Sequence, residues 1–250
     1  MNFSLLTYNT LFNKAYEKIE IIIDQCRPDI ICLQETLTSD INLSKLTKIG
    51  YKLADYSNSF IQFGQVYGVV TFYNPSKFEF VNSDSLKMSS NLTEFFFTIP
   101  QLILGINKPK SMLRTDFIHK SSKKKIIVCN AHLIVIASNS LRINHIEKAL
   151  KSLNITKKTP LIIGGDFNYL PYQRKKLENT MKKYDLVEAT KKIRQTFSPK
   201  YGFLIRNINH FFGNKMKNDY VFYRGFKKQE TERLNFRFSD HYPILSNFTI

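Results

Sequence analysis

The sequence predicts a layered α/β domain, and three observations predict it. The chain opens with a strand, a helix and a second strand. Short apolar runs then alternate with segments of helical period along its length. Polar and acidic residues follow directly after several of the apolar runs, which is where open α/β sheets place ligands. No repeat of fixed period and no Gly/Ser- or Pro-rich linker divides the 250 residues. A single domain over residues 1–250 is therefore expected, with a sizeable core.

The elements follow in order. Phe3 to Tyr8 alternates weakly and reads as a strand. From Lys14 to Cys26 the apolar residues Ala15, Ile19, Ile22, Ile23 and Cys26 fall on one helical face, and Pro28 ends that helix. Asp29 to Leu33 is a continuous apolar run of strand length. A short helix over Ile41 to Ile49 is stopped by Gly50. Strands are expected at Val66 to Tyr73, Phe78 to Val81, Phe95 to Leu104, Met112 to Ile118 and Ile126 to Asn130, with turns at Asn74-Pro75 and at 121–125. Leu141 to Leu153 and Lys175 to Lys183 read as helices. Leu161 to Gly164, Tyr220 to Tyr223 and Ile244 to Phe248 complete the strands.

Composition narrows the function classes. Lys and Arg number 37 against 20 Asp and Glu, a formal charge of +17. Such a field favours polyanionic partners: nucleic acid, an anionic membrane surface or phosphorylated small molecules. Charged residues are 23% and hydrophobic residues 43%, so disorder is not indicated. Cys26, Cys32 and Cys129 lack metal-ligand spacing and sit in apolar runs, which fits buried free thiols in a reducing compartment. No basic n-region precedes the first apolar stretch, and no apolar run approaches the roughly 20 residues of a membrane span. A cytoplasmic monomer with no transmembrane segment is expected.

The chemistry-bearing residues form an ordered series: Asn9, Gln34-Glu35, Asn130-Ala131-His132-Leu133, Gly164-Gly165-Asp166-Phe167-Asn168, Asp219 before a late strand, and Ser239-Asp240-His241. Each element alone is weak, but the full set in this order, spanning residues 5 to 245, resembles the endonuclease/exonuclease/phosphatase superfamily of DNase I-like hydrolases. The His132-Leu133 element followed by Arg142 on a helix is similar to bacterial members and to tyrosyl-DNA phosphodiesterase 2. The Trp and the C-D-R signature of inositol polyphosphate 5-phosphatases are missing.

The resemblance implies a four-layered α/β/β/α sandwich, with two packed mixed sheets flanked by helices. It implies Mg²⁺, or Mn²⁺, as cofactor, with Glu35 as the main ligand and Asn9 and Asp240 as further metal contacts; a hard carboxylate suits such an ion. Asn9 would also help place the phosphate. Asp166 would activate water, and Asn168 would donate to the phosphate as charge builds. His241 would contact the scissile phosphate, with Asp219 fixing its tautomer and raising its pKa. His132 would be a further phosphate contact or general acid. Arg114 and Arg142 are secondary substrate-binding candidates, since a guanidinium fork matches phosphate.

The function implied is metal-dependent hydrolysis of a phosphodiester, favouring nucleic acid because of the +17 charge, by in-line attack of an activated water. A phosphatase or phospholipase C-type hydrolase of a phosphorylated lipid or small molecule is the alternative. A non-catalytic phosphate-binding module is the reading from another class. Tyr169, Tyr172 and Phe203 are candidate rim aromatics for stacking on bases.

Overall fold

Alternate residues of the central strands face two different cores. In the first strand Leu5 joins one apolar cluster and Leu6 another, and the same division separates Ile30 from Ile31, Ile126 from Ile127 and Ile162 from Ile163. Strands covered on both faces need unbroken apolar runs, and this is why these segments do not alternate in sequence. The computed structural model describes residues 2–86, 88, 111–199, 207, 210–211 and 216–250. The strand expected at Phe95 to Leu104 lies outside them.

The described elements are β1 (Asn2–Asn9), a 3-10 turn (Tyr16–Lys18), α1 (Ile19–Cys26), β2 (Ile30–Leu37), α2 (Asp40–Lys48), β3 (Lys52–Gln62), β4 (Gln65–Tyr73), β5 (Phe78–Ser85) and β6 (Ser111–His119). They continue with β7 (Lys125–His132), α3 (Asn139–Ser152), β8 (Leu161–Asp166), α4 (Arg174–Lys182), β9 (Val187–Glu188), β10 (Asp219–Arg224), β11 (Lys227–Arg233) and β12 (Ile244–Thr249). One sheet has the order β11-β12-β1-β2-β4-β3 and the other β5-β6-β7-β8-β10-β9. Each is mixed, with one parallel pair at its centre, β1 with β2 and β7 with β8.

The layers follow from the clusters. Phe3, Leu5, Ile30, Phe117, Val128, Ile162, Val221, Ile244 and Phe248 fill the space between the sheets. Ile19, Ile22 and Ile23 of α1 and Leu43 and Leu46 of α2 cover the outer face of the first sheet. Ile143, Ile146 and Ala149 of α3, with Leu177 and Met181 of α4, cover the outer face of the second. The result is the expected α/β/β/α sandwich.

Differences from the sequence reading have local causes. The first helix begins later than Lys14, because Leu11, Phe12 and Asn13 adopt left-handed φ values of 50, 50 and 68°. Arg27, at φ 39°, ends it one residue before Pro28. β3 and β11 escape apolar patterning because each lies at a sheet edge, and β11 is Lys-Lys-Gln-Glu-Thr-Glu-Arg. Charged side chains on such an edge block pairing with another chain.

Candidate active site

The site forms where the two sheets meet, at the C-terminal ends of the parallel strands. On the inter-sheet face of β1, Phe3, Leu5, Thr7 and Asn9 succeed one another, and Asn9 is buried. On β8 the same face ends in Asp166, also buried. Asn9 Nδ2 donates to Asp166 Oδ2 at 2.9 Å and to Glu35 Oε1 at 3.3 Å, joining residues from both sheets.

Regular alternation would point Glu35 at the helices, as it does Ile31 and Leu33. A register shift in the β2–β4 pairing between Leu33 and Thr36, with Glu35 at φ 52°, turns it inward instead. A bulge carrying a left-handed non-glycine residue is a strained device that re-aims one side chain, and such devices gather at functional sites. Thr10 Oγ1 lies within hydrogen-bonding distance of the Gln34 and Glu35 carbonyl oxygens, 3.0 Å from each, and braces the bulge.

The second sheet brings His132 and Asp166 side by side, paired in the β7–β8 register. His132 Nε2 lies 3.7 Å from Glu35 Oε1 and 3.9 Å from Asp166 Oδ2. That register needs Gly165. Its φ is +145°, and a Cβ there would sit 1.9 Å from the Ala131 carbonyl oxygen. Beyond Asp166 the chain turns at Asn168, φ 47°, whose N–H donates to Asp166 Oδ1 at 2.8 Å. Asn168 Nδ2 gives one hydrogen to the Leu133 carbonyl at 3.0 Å, so of the two N–H groups expected to serve phosphate one is already committed to the fold.

His241 and Asp219 complete the group. His241 Nδ1 is 2.8 Å from Asp219 Oδ2, and its Nε2 faces Asp166 Oδ2 at 3.6 Å. Burial opposes a charge on this ring, but Asp219 and Asp166 outweigh it and raise the His241 pKa to about 10. Burial also pushes the Asp166 carboxyl up, against the pull of His241. The ligand atoms of Asp166, Asp219 and His241 lie within 4.8 Å of one another, a spacing that could hold a metal ion. As the side chains stand, His241 Nδ1 is turned to Asp219 and Nε2 to Asp166, an imidazole oriented between two carboxylates. The better cation position is at the other end. There Glu35 and Asp166, both buried, share the Asn9 amide between them. Two carboxylates taken out of water so close together repel, and a hard divalent ion relieves that repulsion.

Several expected residues take other places. The Asn9 side-chain amide is engaged at both ends: Oδ1 accepts from Leu11 N at 3.0 Å, and the NH₂ braces the Glu35 and Asp166 carboxylates. Asp240 Oδ1 accepts from Ser239 Oγ at 3.1 Å, the same hydroxyl that accepts from His241 N, and its charge helps raise the His241 pKa. Arg114 faces the helix side of its sheet, opposite to the site. There it forks onto Asp116 at 2.7 and 2.8 Å and donates to the Leu153 carbonyl. Arg142 is 1% exposed and gives its protons to Ile134 O, Val135 O, Ala137 O and Asn139 Oδ1. It ties down the loop after His132 and has little left for phosphate. Tyr169 is fully buried, with its hydroxyl donating to Gln173 O. Tyr172 is 41% exposed, and Phe203 lies outside the described residues.

Further residues support the site from below and behind. Gln34 Nε2 donates across the sheets to Asn130 Oδ1 at 2.8 Å, and Asn130 Nδ2 donates to Leu33 O and Val70 O. These two motif residues lock the sheets together beneath the site. Buried Thr196 Oγ1 accepts from both Asn218 N and Asp219 N at 3.0 Å, aiming Asp219 at His241. The Phe197 ring lies 4.9 Å from the His241 ring.

The sequence profile described as the Endonuclease/Exonuclease/phosphatase family matches residues 6–241. Among solved structures, the human Nocturnin catalytic domain with bound sulfate is similar at a TM-score of 0.74, with 18% identity over 99% of this chain and 94% of that one. The mannosyl-6-phosphatase Bt3783 of Bacteroides thetaiotaomicron VPI-5482 gives a TM-score of 0.70 with 17% identity over 99% and 100%. D. rerio TDP2 complexed with single-strand DNA product gives 0.68 with 14% identity over 100% and 99%. Curated relatives include a UPF0294 protein of Vibrio vulnificus, 29% identical over 60% of this chain; the chain spans about half the length of the curated relatives it matches, 48% in this case. Among the described residues, no helix is long and apolar enough to cross a membrane.

Proposed function

Because the chain belongs to the endonuclease/exonuclease/phosphatase family, whose members hydrolyse phosphate esters, we propose that it cleaves a phosphodiester of nucleic acid with the help of Mg²⁺. One observation carries this reading: Asn9, Glu35, His132, Asp166, Asp219 and His241 meet in one buried contact network drawn from separate segments. The residues fit a divalent ion, with Glu35 as its main ligand and Asn9 beside it. Bound there, Mg²⁺ supplies Lewis-acid polarisation of a phosphoryl oxygen.

The chain's own groups do the rest. Asp166 is fixed through both oxygens, by Asn9 Nδ2 and by Asn168 N. Held there it faces His132 Nε2 at 3.9 Å and His241 Nε2 at 3.6 Å, placed to take a proton from the attacking water. His241, kept protonated by Asp219, presents Nε2–H to the phosphate as negative charge accumulates in line with the attack. His132, between Glu35 and Asp166, offers a second donor on the same side. The +17 charge supports a polyanionic substrate.

The test is turnover of plasmid DNA, single-stranded DNA, a 5′-tyrosyl oligonucleotide, RNA, inositol phosphates and sphingomyelin, each with Mg²⁺ and with excess EDTA. The expected result is EDTA-sensitive cleavage of a nucleic acid. Turnover confined to small phosphomonoesters would favour a phosphatase, the activity named for the structurally similar Bt3783. Full activity in EDTA would overturn the metal requirement.

A further inference from the structure

The Glu35 end of the site carries an aromatic assembly that the hydrolytic chemistry does not use. Leu11, Phe12 and Asn13 are three successive non-glycine residues with left-handed backbone. Such a run is rare and is kept only where neighbours enforce it. Here Leu11 N donates to Asn9 Oδ1, Asn13 N donates to Glu35 O at 2.9 Å, and Asn13 Oδ1 accepts from Leu37 N. The turn is thus bonded to both residues at the proposed metal end, and it presents Phe12.

Phe12 meets three rings edge-on: Phe60 at 6.0 Å, Tyr67 at 5.8 Å and Phe63 at 6.0 Å between centroids. Phe60 and Tyr67 are stacked at 5.4 Å and buried, and Tyr67 pairs with Leu37, just past the Glu35 bulge. Phe63, at the tip of the β3–β4 hairpin, is 79% exposed. An isolated exposed Phe is ordinary. Phe63 stands in water against Phe12, whose own turn is bonded to Asn9 and Glu35, and the pair is a built surface.

We propose that Phe12 and Phe63 form a stacking platform for a nucleobase next to the phosphate that His241 contacts. This rests on the phosphodiesterase reading and names the part of the substrate that the site grips. The occupant is a base rather than a bilayer because residues 58–68, Asn-Ser-Phe-Ile-Gln-Phe-Gly-Gln-Val-Tyr-Gly, carry no Lys or Arg. A membrane-docking tip pairs its apolar residues with basic ones, whereas a stacking platform needs only a π-face beside the backbone-binding groups.

The experiment is fluorescence-anisotropy binding in EDTA, with a single-stranded oligonucleotide and a sugar–phosphate chain of the same length lacking its bases. The proteins are wild type, Phe63→Ala and Phe63→Trp. Wild type should bind the base-bearing strand about tenfold more tightly than the baseless one, Phe63→Ala should lose that preference, and Phe63→Trp should keep it. Equal preference in wild type and Phe63→Ala overturns the platform while leaving the nuclease reading intact. Failure of wild type to bind either strand overturns both. Phe63-dependent binding to anionic phospholipid vesicles, without any base preference, replaces the platform with a membrane contact.

Discussion

Asp219→Asn isolates the histidine–carboxylate pair, since it keeps the side-chain shape and removes the charge. In the native protein burial disfavours the His241 cation, and Asp219 first and Asp166 next reverse that, giving a pKa of about 10. An unfolded histidine titrates near about 6.5. The folded state therefore holds the extra proton between these two values. The stabilisation is complete below about 6.5 and is lost as pH rises through about 10. At about pH 7 the gap to the folded pKa corresponds to roughly 4 kcal/mol. Asp166 still faces the ring at 3.6 Å in the variant and retains part of this, so a loss of about 3 kcal/mol is expected. Near pH 10 the loss should shrink below about 1 kcal/mol. Urea midpoints from about pH 6 to 10, with an NMR titration of the imidazole, measure both quantities. Equal destabilisation at the two ends of that range, or a wild-type imidazole titrating near its ordinary value, would refute the reasoning.

Glu35→Gln should lower kcat on the order of 10²-fold or more and weaken Mg²⁺ binding by calorimetry while leaving the melting temperature near wild type. Gly165→Ala forces a Cβ onto the Ala131 carbonyl at a φ that L residues avoid, and should cost roughly 3 kcal/mol in chemical denaturation. The two arginines should separate cleanly. Arg114→Gln, on the far face of its sheet, should leave kcat/KM within about twofold, whereas Arg142→Met leaves four acceptors without their donor and should cost about 3 kcal/mol.

The strands of the core and the six contacting site residues were legible because both stand out against their neighbours. A polar residue ending an apolar run, as Asn9 ends β1 and Asp166 ends β8, has to be explained by something other than packing. The direction in which Glu35 points was not legible: its bulge carries no glycine, and only pairing with β4 creates it. Gln34 and Asn130 were visible as motif members, but their bond to each other joins residues 96 apart in sequence. Arg142 misled for a related reason. A guanidinium that will meet backbone carbonyls looks in sequence like one that will meet phosphate, because carbonyls leave no trace in residue identity. The polar edge strands β3 and β11 were invisible to apolar patterning because an edge is defined by what lies beside it.

The division of the network between the sheets has a thermal consequence. Asn9 and Glu35 belong to β1 and β2 of one sheet, and His241 lies on the segment that leads into β12 of that sheet; His132, Asp166 and Asp219 belong to β7, β8 and β10 in the other. Neither half holds both a base for water and a cation for phosphate in working geometry, and the Gln34–Asn130 bond spans the seam beneath them. Parting of the layers would dismantle the chemistry and the core together. Heat inactivation should therefore trace the same sigmoid as the loss of tertiary signal, making catalysis a cooperative reporter of the sandwich itself.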